Sequence, residues 1–145
     1  GIRVVEIRLG VVLGQDGGAL AKMLPPFRLG VGGKLASGKQ WMSWVHIDDL
    51  VGMIQFALAN EKVHGAWNGT APQPVTNAEF TSKLAEALHR PALLPVPAFA
   101  LRLLFGEMAS VVLASQRVLP EAAKSAGFKF QFSDLASALQ DVIAD

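Results

Sequence analysis

The ten residues Trp41 to Leu50, WMSWVHIDDL, crowd two Trp, a Ser, a His and two Asp into one short stretch. Imidazole and carboxylate groups ligate divalent metals and carry protons, so His46, Asp48 and Asp49 read first as a candidate metal or acid–base cluster. A metal site needs three or four converging ligands, and the other histidines, His64 and His89, sit alone in unrelated segments. A plainer reading competes. Asp48 precedes an apolar-periodic run and can accept a hydrogen bond from the free amides of a first helical turn, while a carboxylate at Asp49 suits the helix dipole. On that reading the stretch is a strand handing over to a helix, with Ser43 and Trp44 left to face a ligand.

Two other patterns invite chemistry. Gly33 to Lys39, GKLASGK, has the spacing of a phosphate-binding P-loop up to the position where Gln40 stands instead of a magnesium-holding Ser or Thr. A Pro-Pro segment precedes it and a Trp-rich strand follows, the wrong context for a P-loop, so a flexible loop is expected. Arg8 is a charge inside an apolar, strand-like run. It needs either a carboxylate such as Glu6 or an anionic ligand, and the residues leave both open.

The elements that must position these groups follow from periodicity. Ile2 to Leu13 is rich in β-branched residues and nearly continuously apolar, as in a parallel strand buried on both faces. Gly14 to Gly18 breaks it. A helix over Ala19 to Leu29 is expected to end early at Pro25 and Pro26. Residues 30 to 39 read as loop, Met42 to His46 as a short strand, and Asp48 to Asn60 as a helix with Leu50, Val51, Ile54 and Leu58 on one face. Ala66 to Asn68 is a further short strand. Thr76 and Glu79 have capping-box spacing, with Val75 and Phe80 as a hydrophobic staple, and predict a helix to about His89. Helices follow over Phe99 to Phe105, Met108 to Leu113, Pro120 to Ala126 with Gly127 as the stop, and Ser133 to Ile143.

Bulk properties narrow the function classes. A chain of 145 residues suffices for one core. Thirteen Lys plus Arg against twelve Asp plus Glu give a net charge of +1, too little positive potential to make nucleic acid a main partner. With no cysteine, disulfides and thiolate chemistry are excluded, which fits a reducing compartment and makes the cytoplasm the default location. Hydrophobic residues make up 51% and mean hydropathy is +0.35, yet no apolar run approaches the ~20 residues that span a bilayer. Val96 to Phe105 is broken by Pro97 and Arg102. The excess apolar surface is expected to be covered by another polypeptide, with membrane-surface association the lesser alternative. A start at Gly1 directly in an apolar strand suggests a piece of a longer protein, and nothing resembles a signal peptide.

Taken together, RLGVVLG (8 to 14), GGALAKMLPPFRLGVGG (17 to 33), GKQWMSWVHIDDL (38 to 50), GAWNGTAPQPVTNAEF (65 to 80) and SQRVLPEAAKSAGFKF (115 to 130) resemble the atypical branch of the extended short-chain dehydrogenase/reductases. That branch is labelled the NAD-dependent epimerase family or cell-division-inhibitor-like. The resemblance covers essentially the whole chain and only the C-terminal half of such a protein.

It implies an α/β fold: the C-terminal portion of a Rossmann-type doubly wound parallel sheet over residues 1–90, with the substrate-cleft loop, and a small, mainly helical lobe over 91–145. It implies NAD or NADP as cofactor, NADP slightly preferred, bound mostly through a missing N-terminal half. Arg8, Gly10 and Val11 would contact that cofactor. The loop from Gly30 to Trp44 would line the substrate cleft, with Gln40, Ser43, Trp44 and Asn68 presented to a small polar substrate.

The sequence departs from the family in two places. No Gly-rich pyrophosphate turn follows a strand, and tyrosine is absent, so the Tyr-Lys pair these proteins use for proton transfer is not supplied here, nor any other catalytic residue. The expectation is a substrate-side half, inactive alone and prone to self-association, whose partner is the N-terminal half. The rival expectation is a protein-interaction module linked to cell division. No metal and no membrane partner is expected.

Overall fold

The computed structural model describes residues 1–144. Strand β1 (Val5–Leu9) runs parallel to β5 (Gly65–Gly69), with Arg8 opposite Asn68 and Leu9 opposite Gly69. Strand β2 (Val11–Leu13) continues β1 in sequence but pairs in parallel with β4 (Trp44–His46). A short antiparallel pair joins β3 (Trp41–Met42) to β6 (Val75–Thr76).

The single strand expected over Ile2 to Leu13 is therefore two. The break falls at Gly10, whose N–H still donates to Gly69 O, while the next amide, that of Val11, donates to Ser43 O. A Cβ on Gly10 would lie 2.5 Å from that Ser43 oxygen, well inside contact distance, so only glycine lets the strand leave one neighbour for the other. The expected burial on both faces is corrected too. Val5 and Ile7 pack against one apolar cluster, but Glu6, Arg8 and Leu9 are exposed, and among the described residues no strand pairs with the second edge of β1.

Helix α1 (Gly18–Arg28) contains Pro25 and Pro26 and is not ended by them. Leu20, Leu24 and Phe27, at helical spacing, are all buried in the core, and that packing outweighs the ~3 kcal/mol that an interior proline costs. The prolines also keep acceptors in use: Pro25 O receives Leu29 N–H and Pro26 O receives Val31 N–H.

Helix α2 (Ile47–Ala59) begins as expected but turns a different face inward. Asp49, Leu50, Met53 and Ala57 are buried, whereas Val51, Ile54 and Leu58, expected beside Leu50 in the core, are exposed. Helix α3 (Asn77–Leu88) has the capping box in full: Thr76 Oγ1 accepts from Glu79 N–H, and Glu79 Oε2 accepts from Thr76 N–H. His89 closes it in the left-handed region. Helices α4 (Ala98–Phe105), α5 (Met108–Leu113), α6 (Glu121–Ser125) and α7 (Leu135–Ile143) match the expected positions within two residues. No described helix is long and apolar enough to cross a membrane.

Two apolar clusters hold these pieces. One gathers Leu13, Trp44, α1, Phe80 and Leu84 of α3, and Leu135, Ala138, Leu139 and Val142 of α7. The other sets Met53 and Ala57 of α2 against Val63, Trp67 of β5 and Ala123 of α6, with Phe56, Phe128 and Phe130 around them. Both clusters draw residues from either side of position 90. Since Leu84 is wholly buried, Leu84→Ala should lower stability by about 3 kcal/mol, measured by chemical denaturation; a change under about 1 kcal/mol would remove the α3–α7 contact from the core.

Candidate functional site

The ends of the strands meet around Gly10. Ser43 stands where β3 gives way to β4, Asn68 near the C-terminal end of β5, and Thr70 just beyond it, its methyl against Gly10 and its hydroxyl buried without a hydrogen-bond partner. Crevices at strand ends where a sheet changes direction are the usual ligand sites of α/β folds.

A segment of the C-terminal region, Ser115 to Leu119, is strapped across this junction. Ser43 Oγ donates to Gln116 O and accepts from Val118 N–H, both at 2.9 Å. Asn68 Nδ2 donates to Leu119 O at 3.0 Å, Trp41 N–H donates to Ser115 Oγ, and the Arg117 guanidinium lies 5.2 Å from the Trp41 ring centre. The polar side chains of Ser43 and Asn68 are thus used to seat a piece of the same chain. Trp44 is wholly buried and its indole N–H donates to Gln73 O. Gln40 is buried, and its side-chain amide donates to Leu35 O.

The Gly-rich loop before Trp41 is fixed, not loose. Asn77, at the first position of α3, accepts from Leu35 N–H through its side chain and donates its own N–H to Gln40 O. On the other side Val96 exchanges backbone hydrogen bonds with Lys34 and Ala36. Gly33 touches the carbonyl of Leu94 so closely that any side chain there would overlap it.

Of the proposed cofactor contacts, Gly10 and Val11 are held at the junction, and Arg8 is 65% exposed with its Nε 3.1 Å from Glu6 Oε1. Among the two partners the sequence left open for Arg8, the carboxylate is thus present, and both groups lie in solvent, where such a pair is weak and easily exchanged.

The cap expected at Asp48 is corrected, whereas both Asp48 and Asp49 do lie in the first turn of α2, where the helix dipole favours a carboxylate. His46 is the N-cap of α2: its Nδ1 accepts from Asp48 N–H at 3.0 Å. In the neutral ring the proton therefore sits on Nε2, which donates to Asp141 Oδ2 at 2.9 Å. The ring is buried and stacked on Phe132. Asp49, only 1% exposed, accepts from the amides of Gln131 and Phe132 at 2.7 and 2.9 Å, so it ties down a distant segment. His46, Asp48 and Asp141 bring ligand atoms within 4.8 Å of one another, but both ring nitrogens already have partners, and this trio is a hydrogen-bond network closing the C-terminal end onto α2. Sequence spacing carries no signal for bonds that span 82 to 95 positions.

Comparison with known proteins places this geometry. The chain is 52% identical to the Arabidopsis thaliana chloroplastic homolog of epimerase family protein SDR39U1, over 98% of its own length and 41% of the relative's. It is 48% identical to the Mus musculus protein, over 98% of its length and 49% of the relative's. It is homologous to epimerase family proteins. A solved structure of the human epimerase family protein SDR39U1, crystallised with NADPH, superimposes with a TM-score of 0.93 at 43% identity, covering 97% of this chain and 48% of that one. The fold is accordingly the C-terminal part of a Rossmann-type α/β domain, as expected. Residues 96–142 match a domain of unknown function, DUF1731. The chain spans about half the length of the curated relatives it matches.

Two substitutions test the clamps. Asp49→Ala strands two amides and should cost about 3 kcal/mol in denaturant unfolding, while Asp49→Asn, which keeps one acceptor, should cost less; equal effects would argue against the two-bond arrangement. Ser43→Ala should lower stability by about 1–2 kcal/mol and raise hydrogen exchange at Val118. Unaltered protection of that amide would rule out the Ser43 clamp.

Proposed function

We propose that this chain is the substrate-side half of an NAD(P)-dependent oxidoreductase or epimerase-like protein. The observation that carries the reading is the 0.93 TM-score against the human protein crystallised with NADPH, joined to a β1 strand whose second edge has no partner among the described residues. A parallel strand with one free edge, together with an exposed apolar face on α2 formed by Val51, Ile54 and Leu58, has the form of a sheet and helix layer awaiting continuation. An N-terminal portion of the longer protein would add that continuation, along with the pyrophosphate turn and the proton-transfer pair that this chain lacks.

In this reading the nicotinamide cofactor supplies or accepts hydride, and the residues here shape one wall of its site. Arg8, exposed at the end of β1, would exchange Glu6 for an anionic group of the cofactor by charge-assisted hydrogen bonding. Gly10 and Val11 would bring backbone close to the nicotinamide end. Gln40, Ser43, Trp44 and Asn68 would act on the substrate as the rigid frame of the cleft, because their hydrogen bonds fix the loop and strap that face it. NADP is favoured slightly over NAD, and the 145-residue piece would be inactive alone.

The alternative, an interaction module, draws on the same exposed α2 face. The two readings separate in solution. The isolated chain should self-associate through its free edge and apolar face, seen by size-exclusion chromatography with light scattering, whereas a self-sufficient module should run as a monomer. Joined to its N-terminal portion, the protein should quench and bind NADPH in a fluorescence titration, and Arg8→Ala should weaken that binding several-fold, roughly 1 kcal/mol. Failure of the complete protein to bind either nicotinamide cofactor would falsify the enzyme reading.

A further inference from the structure

His46 sits where three parts of the chain meet. It closes β4 opposite Leu13 of β2, it caps α2, and its ring is stacked on Phe132. It shares a hollow with Gln15, Asp16, Asp48 and Asp141, whose described wall contains no Lys or Arg. Leu13 and Phe132 carry no charge, Gln15 donates to Ala144 O, and both oxygens of Asp49 are committed to amides. The titratable groups that face the ring are therefore three carboxylates: Asp16 from the β2–α1 loop, Asp48 from α2 and Asp141 from α7. A neutral fastener would need less. One acceptor and one donor, as an Asn side chain offers, would both cap α2 and bind Asp141.

An imidazole with carboxylates at both nitrogens has a second arrangement open to it. With one proton, Nε2–H donates to Asp141 Oδ2 and Nδ1 accepts from Asp48 N–H. A second proton can enter only at Nδ1, and it turns that acceptor into a donor facing another donor. The cap is lost. The new N–H has an acceptor waiting, because Asp48 Oδ2 already lies 3.9 Å from Nδ1 on a side chain that is 60% exposed and free to turn. On the far side the bond to Asp141 becomes charge-assisted, and so stronger. The ring itself is 2% exposed, but the half-exposed carboxylates of Asp48 and Asp141 give both nitrogens a route to solvent.

We propose that His46 is a proton-operated switch between α2 and α7. With one proton the ring caps α2, and with two it gives up that cap and is clamped between Asp48 and Asp141. Acid therefore loosens the first turn of α2 while it tightens the hold on α7. The switch depends on no bound cofactor, and it stands or falls separately from the enzyme reading.

The test is an NMR titration of the nitrogen-15-labelled full-length protein from about pH 8 to pH 5, the range in which histidine changes charge. At the upper end the ring nitrogens should report the Nε2–H form, with a scalar coupling across the hydrogen bond from Asp48 N–H to Nδ1. On acidification that coupling should vanish and the Asp48 amide proton should move upfield, both with the midpoint of the ring nitrogens, while far-ultraviolet circular dichroism stays constant. Asp48→Asn and Asp141→Asn should each move the midpoint to lower pH by roughly half a unit, since each removes a charge that favours the second proton. His46→Asn, which retains a capping oxygen, should abolish the pH dependence of the Asp48 amide. An Asp48 amide that keeps its coupling while the ring titrates overturns the proposal, as does a ring that takes up its second proton only when the fold is lost. Both readings come from the unmodified protein, so they hold even where a variant fails to fold. A midpoint unmoved in both folded aspartate variants also overturns it. Zinc that displaces the Nε2 proton at one equivalent overturns it in favour of a metal centre.

Discussion

At Gly10 the backbone amide of one residue still points to β5 while that of the next points to β4. This change of partner requires the approach of the Ser43 carbonyl to a place where any Cβ would stand. Because Ser43 is held there by its backbone, its hydroxyl is free to receive Val118 and to bond Gln116. The strap, the β3–β4 break and the crevice at the strand ends all inherit their positions from that one crossing. A side chain at position 10 would push β4 away and take the strap with it.

Around this point the chain spends its polar side chains on holding itself. Asn77 fixes the Gly-rich loop, Gln40 bonds within it, Asn68 and Ser43 hold the strap, and Asp49 and His46 hold the C-terminal segment. Asn77, Asn68 and Asp49 each bond an irregular segment from a regular element, which is how loops that cannot satisfy their own backbone groups are kept in place. The result is a junction at the strand ends whose shape is set by rigid elements.

Much of the fold was legible because local devices fix it. The capping box at Thr76 and Glu79, the Gly127 stop and the apolar periodicity of α7 each act over a few residues. What escaped were effects that depend on partners far along the chain. Pro25 and Pro26 carry a strong local veto, overruled by Leu20, Leu24 and Phe27 in a shared core. The inner face of α2 was misread because Val51, Ile54 and Leu58 are as apolar as a core face, and periodicity does not say what will cover it. Asp48 looked like a cap because it precedes an apolar-periodic run, and nothing nearby announces that Asp49 reaches the amides of residues 131 and 132. Within the stretch Trp41 to Leu50, His46 and Asp49 hold Asp141 and the amides of residues 131 and 132, partners that no local pattern signals.

His46 and Asp49 lie three positions apart at the head of α2, and both grip the chain some eighty or more residues later. The region past Phe130 is therefore no appendage that could be trimmed or swapped without notice. It acts as a latch closed on the first turn of the helix that follows β4, so strain applied at the extreme C-terminal part of the fold is transmitted through imidazole and carboxylate to the strand beside the cleft. A change at either His46 or Asp49 is therefore felt at the far segment, and a change there is felt back at the head of α2.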